Sequence, residues 1–180
     1  MAEKTMSLKE ATHDLHKVAE ITEFAQLLLS GNITKEVYAC YLTNLLSIYT
    51  AIEKSAMDSG VLEGIEDIVR ADKIKADLEE LDVDAQPHFF STYQYVEHIN
   101  KLGAPDILAH VYTRHFGDLY GGQIVKSKVP GSGAMYEFID RTKLIEKTRA
   151  KLTDDLAPEA RVAFTFAIYL FEDLTSEFNL

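Results

Sequence analysis

The chain has 180 residues, 47% of them hydrophobic, and a formal net charge of −11. That length suits one domain, 1–180, whose core needs no disulfide staple, and the single cysteine, Cys40, excludes an internal disulfide framework and fits a reducing compartment. The acidic balance argues against a general nucleic-acid binder, no apolar run approaches the roughly 18 residues of a membrane span, and Met1-Ala2-Glu3-Lys4 has no apolar run behind it to make a secretory signal, so a cytoplasmic protein is expected.

In chain order, Ser7-Leu8-Lys9-Glu10 has capping-box spacing and starts a first helix with Leu8, Ala11, Leu15, Val18 and Ala19 as its apolar stripe. A short helix over Thr22 to Leu29 stops at Ser30-Gly31. Thr34 caps a third that reaches about Met57, its stripe (Tyr38, Tyr41, Leu42, Leu45, Ile48, Tyr49, Ile52, Ala56) keeping the helical period for five turns. Residues 65–81 read as one or two charged amphipathic helices, and Pro87 suits the first turn of a helix running to about Lys101. Gly103-Ala104-Pro105 separates that helix from a central one. Pro130-Gly131-Ser132-Gly133 is the clearest loop, and two helices follow it, Ala134 to Leu152 and Pro158 to Phe178. Period-two alternation and hairpin turn pairs are absent, so the expected class is all-α, a compact bundle of roughly eight helices.

The central stretch is Tyr112-Thr113-Arg114-His115-Phe116-Gly117-Asp118-Leu119-Tyr120-Gly121-Gly122-Gln123. Each glycine costs a helix about 1 kcal/mol relative to alanine. Gly117 and Gly121, four apart, would strip one face of side chains and let something flat approach the backbone. Arg114 and Asp118 have the spacing of a helical ion pair. The plainer reading is a helix that ends at Gly117 and gives way to a glycine-rich turn.

Among six histidines, His16 falls at the edge of the first helix's stripe, where it can point inward, with Glu20 one turn behind to hold one ring nitrogen and leave the other for a metal. An ordinary i,i+4 pair is the bland counterpart. His88, His98, His110 and His115 show no ligand spacing. Glu10-Ala11-Thr12-His13 is the lone Glu-x-x-His, so a di-iron site is not expected. Lys126 to Lys151 holds seven basic residues against three acidic ones, a local surplus that suits an anionic ligand or an acidic protein, although charge runs are usually solvated faces.

Two separated stretches resemble one family, the heme oxygenases. Leu8-Lys9-Glu10-Ala11-Thr12-His13-Asp14-Leu15-His16-Lys17-Val18-Ala19-Glu20 resembles the family's proximal helix, and the 112–123 stretch its glycine-rich distal helix. Ser47-Ile48-Tyr49-Thr50-Ala51-Ile52-Glu53 is similar to the stretch that supplies a distal-pocket tyrosine, and Phe164 with Leu170-Phe171-Glu172-Asp173-Leu174 resembles the closing helix. The resemblance implies that His16 is the axial iron ligand with Glu20 its partner. It also implies that Gly117, Gly121 and Gly122, with Thr113 and Phe164, line a heme b site. Lys9 and Tyr112 would reach propionates, with Lys143, Lys147 and Arg149 as further candidates. Asp118, Tyr49 and Arg114 would order waters on the distal side.

The reaction so implied is opening of heme by O2 and electrons to biliverdin, carbon monoxide and ferrous iron. The donor would be a soluble one such as ferredoxin, docking near the basic 126–151 region of a monomer that has no membrane tail. There are departures from the family pattern. Tyr120 stands where a small residue is expected and bears on which meso carbon is attacked, Ala167 stands where many relatives carry asparagine, and the segment around Asp154 to Pro158 is short. A heme carrier that does not turn over, and an unrelated enzyme using Cys40 as nucleophile on a thiamin-like substrate, are the alternatives.

Overall fold

The computed structural model describes residues 6–180, so the reading of Met1-Ala2-Glu3-Lys4 lies outside the described residues. Nine α-helical segments and no strand occur among them. In α1 (Leu8–Glu20) the capping box forms as expected: Glu10 N–H donates to Ser7 Oγ at 3.2 Å and Ser7 N–H to Glu10 Oε2 at 2.9 Å. Thr22 caps α2 (Glu23–Ser30), which ends on Gly31 at φ +81°, and Thr34 caps α3 (Lys35–Asp58). The 24-residue α3 is the axis of the molecule. It buries Tyr38, Leu42, Leu45, Ile48, Tyr49 and Ile52, and α4 (Ala71–Leu81), α5 (Phe90–Ile99) and α6 (Ile107–Val111) pack around it.

Residues 65–81 resolve into a 3-10 turn, Glu66–Ile68, and the single helix α4. No side chain of its own caps α4. Glu53 of α3 does so from outside, its Oε1 accepting Arg70 N–H at 2.5 Å and Ala71 N–H at 3.1 Å. Helix α5 starts later than expected. Asn44 donates to Pro87 O at 3.0 Å and accepts from Phe89 N–H at 3.0 Å and Thr92 Oγ1 at 2.7 Å, which keeps 87–89 out of the helix, with Phe89 extended, and moves the helix start from Pro87 to Phe90.

The helix expected over Ala134 to Leu152 is also shorter. Ala134–Tyr136 is one 3-10 turn, and α8 (Arg141–Lys151) begins only after Asp140 at φ +45°. Side chains from elsewhere occupy the backbone groups a helix would have used: Asp77 accepts Ala134 N–H at 2.7 Å and Met135 N–H at 2.9 Å, while the Arg70 guanidinium bonds Met135 O and Glu137 O and lies 3.9 Å over the Phe138 ring. Helix α9 (Ala157–Glu177) closes the bundle against α1, α2, α5 and α6. Helices α6 and α7 (Gly117–Lys126) are one rod joined through a π turn, Tyr112–Phe116, so the segments make eight rods, the number expected. No helix among the described residues is long and apolar enough to cross a membrane.

Candidate functional site

The glycine-rich stretch stays helical beyond Gly117, so the reading of a glycine-rich turn is overturned. Its glycines serve two ends. A Cβ placed on Gly117 or Gly121 meets nothing within 4 Å, and both residues are exposed, so the rod carries a bare backbone face. Gly122 points the other way: a Cβ there would lie 2.6 Å from Cδ1 of Tyr136, and the close helix packing itself requires glycine.

Asp118 stands beside the bare face and accepts a hydrogen bond from the Tyr49 hydroxyl. Burial pushes its carboxyl up to about 6, against the opposing pull of Tyr49, His115, Arg114 and Arg70. The expected Arg114–Asp118 pair does not form among the ion pairs of the described residues. The π turn is the reason. Its wider turn takes residues 114 and 118 off the 3.6-residue register that would stack them on one face. Arg114 is 7% exposed, and its Nε and Nη2 have no hydrogen-bond partner in the protein. Burial opposes its charge, yet Tyr49, Tyr41, Tyr95 and Asp118 around it hold its pKa above the ordinary arginine value.

Two further residues complete this cluster without having been singled out in the sequence. His115 Nε2 lies 2.9 Å from Glu53 Oε1, its ring is 4.4 Å from that of Tyr49, and its buried Nδ1 has no partner in the protein. Glu53 thus joins the α4 cap to the Tyr49–Asp118 pair. The signal was present: Glu53 is four residues after Tyr49 and so lies on the same face of α3.

His16 sits on α1 with Nδ1 3.3 Å from Glu20 Oε1, which leaves Nε2 for another partner. It does not point into the packed interior: its side chain is 54% exposed, and its ring meets Phe164 edge-on at 5.9 Å. Arg161 of α9 fastens α1 in place through Asp14 (2.6 and 3.0 Å) and Ala11 O (2.7 Å), holding the Asp14 carboxyl down at about 2. Helix α9 also packs on the π turn, so one helix braces both the His16 side and the glycine rod.

Around the bare face, Tyr112, Phe116 and Tyr120 form a ladder of rings 5.9 and 5.8 Å apart, and the Arg149 guanidinium lies 6.0 Å from the Phe116 ring and 5.8 Å from that of Tyr120. Lys9, Lys143 and Lys147 are exposed. Lys147 is two residues from Arg149, which sets the two on opposite faces of α8. It lies within electrostatic reach of Glu66, whose carboxyl is held low first by its hydrogen bond from Gly64 and then, in part, by Lys147 and Lys151. The Thr113 hydroxyl is committed to Ala109 O at 3.0 Å.

The chain matches the sequence profile described as Heme oxygenase over residues 3–173. It belongs to the heme oxygenase family. Heme oxygenase 1 of Rattus norvegicus is 32% identical over 202 residues, covering 93% of this chain and 70% of the rat protein. Heme oxygenase of Rhodella violacea is 29% identical over 96% of the chain and 87% of its own length. Among solved structures, heme oxygenase-2 of the cyanobacterium Synechocystis, in complex with heme and NO, superposes with a TM-score of 0.82 at 27% identity, covering 94% of this chain and 84% of that one. Cys40 is fully buried, 3.8 Å from Pro87 O, and burial pushes its thiol up to about 11, which removes the reading of Cys40 as an accessible nucleophile.

Proposed function

We propose that this chain is a working heme oxygenase that opens heme b with O2 and donated electrons to give biliverdin, carbon monoxide and ferrous iron. The observation that carries the reading is the bare Gly117–Gly121 face, kept in an otherwise continuous helix, beside a carboxyl poised near pH 6. A flat macrocycle fits that cradle, because any side chain there would hold it off the backbone. His16, exposed and with one nitrogen already engaged by Glu20, would hold the iron through its other nitrogen. When bound, heme supplies both the ring that is opened and the iron at which O2 is reduced.

The residues divide the remaining work. His16 Nε2 would hold the iron, while Glu20 on Nδ1 fixes the ring's tautomer and orientation. Phe164 packs on the His16 edge, and Gly117 and Gly121 admit the macrocycle plane, with Thr113 and Gly122 shaping the rod behind it. Arg149, close to the Phe116–Tyr120 ladder, and Lys9 and Tyr112 take the propionates, with Lys143 and Lys147 as outer attractors.

On the distal side the partnerless Arg114 Nε and Nη2 and His115 Nδ1, with Tyr49 and Asp118, hold ordered waters, since buried polar groups of this kind are satisfied by water when protein does not reach them. Asp118 both accepts and gives a proton near neutral pH and so feeds protons through those waters. Electrons come from an acidic ferredoxin on the basic region. Lys126 is already paired with Glu137 at 2.6 Å and Arg141 is bonded to Leu119 O and Tyr120 O, so docking falls on Lys128, Lys143, Lys147 and Lys151. A monomer in the cytoplasm suits this exchange.

Electron paramagnetic resonance of the ferric heme complex tests the ligand. Wild type gives an axial-histidine signal, and His16→Ala loses it and regains it with added imidazole. An unchanged signal in His16→Ala overturns the assignment.

A further inference from the structure

Away from the glycine rod, three helices bring together groups that the sequence spacing kept apart. His98 of α5, His110 of α6 and Glu159 of α9 place one ligand atom each within 4.8 Å of one another. His98 Nε2 is 2.5 Å and His110 Nε2 2.8 Å from the same carboxylate oxygen, Glu159 Oε1. His110 is fully buried, Glu159 is 19% exposed and His98 32% exposed, so the cluster is walled on the core side and opens to solvent past His98.

Behind it, Tyr95 Oη lies 2.7 Å from His110 Nδ1, and Phe166 stacks on the Tyr95 ring at 4.6 Å and 9°. An imidazole whose far nitrogen is anchored by a buried partner while its near nitrogen converges on another imidazole and a carboxylate has the arrangement of a metal-ligating histidine.

We infer that His98, His110 and Glu159 form a binding site for one zinc-class divalent cation, with the solvent-facing fourth position left for water. Two imidazole nitrogens and one carboxylate oxygen are a donor set zinc accepts, and hard cations such as magnesium, which want all-oxygen shells, are disfavoured. The nitrogens and the oxygen now stand at hydrogen-bond distances of 2.5 and 2.8 Å, and seating a cation between them requires both separations to open to about 3.3 Å by a shift of under about one ångström in His98 and Glu159, the two partly exposed members. Binding at His110 Nε2 would put the ring's proton on Nδ1, which then donates to Tyr95. The cation would tie α5, α6 and α9 together. The site shares no residue with the proposed heme ligands.

Calorimetric titration of the heme-free, tag-free protein with zinc alone tests the inference, with cobalt as an optical stand-in. One zinc per chain is expected in wild type and equally in His16→Ala, while His98→Ala and Glu159→Gln lose at least about tenfold in affinity, and the cobalt form shows the intense visible bands of a low-coordinate site. His98 is partly exposed, so its variant folds, and far-ultraviolet circular dichroism of each variant verifies this. Undiminished zinc affinity in His98→Ala, or loss of the single site in His16→Ala, overturns it.

Discussion

Replacing Asp118 by asparagine should make the heme-free protein more stable at neutral pH while impairing its chemistry. The carboxyl sits at about 6 instead of an ordinary 3.8 because it is buried, and each pH unit of that displacement is worth about 1.4 kcal/mol. Between pH 3.8 and about 6 the folded chain keeps a proton that the unfolded chain has released, so stability falls as pH rises through that window. Above it the whole penalty applies, at most ~3 kcal/mol, since Asp118 retains some contact with solvent. Asparagine keeps an oxygen for the Tyr49 hydroxyl but carries no charge to bury. Urea unfolding of wild type and Asp118→Asn at pH 4, 5, 6 and 7.5 reads the difference directly, and other titrating groups cancel in the comparison. The variant is expected to gain about 1–3 kcal/mol at pH 7.5 and to lose that advantage toward pH 4. A variant that is less stable by the same amount at every pH would refute the reasoning and make Asp118 a purely structural residue.

Three further predictions separate packing from access and locate the docking face. Gly121→Ala should stabilise the heme-free helix by about 0.5–1 kcal/mol, because its Cβ enters open space, whereas Gly122→Ala should cost about 1–3 kcal/mol by driving into Tyr136; thermal melts compare them. Gly121→Leu should leave the fold intact but weaken hemin binding at least about tenfold, or 1.4 kcal/mol, in an optical titration. Lys128→Glu with Lys151→Glu should raise the KM for ferredoxin and flatten its salt dependence with little change in hemin affinity, as measured by steady-state kinetics at two ionic strengths.

Helix number and class were legible because they rest on local signals: the Ser7–Glu10 capping box, the Thr34 cap and the unbroken α3 stripe all act within a few residues. The bare face was legible for the same reason, as Gly117 and Gly121 are one turn apart. What was not legible depends on partners far along the chain. Asn44 sets the start of α5 from 43 residues away, and Asp77 and Arg70 unwind 134–140 from more than 50. Residues 112–116 carry no mark of a π turn, so the Arg114–Asp118 pair looked sound on α-helical spacing and fails in the fold. His98, His110 and Glu159 meet only because α5, α6 and α9 do.

The central claim is turnover, and one optical experiment meets it most directly. Purified protein is titrated with hemin and then given ferredoxin, its reductase and NADPH in air. The account predicts a Soret band that saturates at one heme per chain and then decays to a biliverdin spectrum with release of carbon monoxide. A band that forms and persists through repeated electron delivery would contradict it and make the chain a heme carrier.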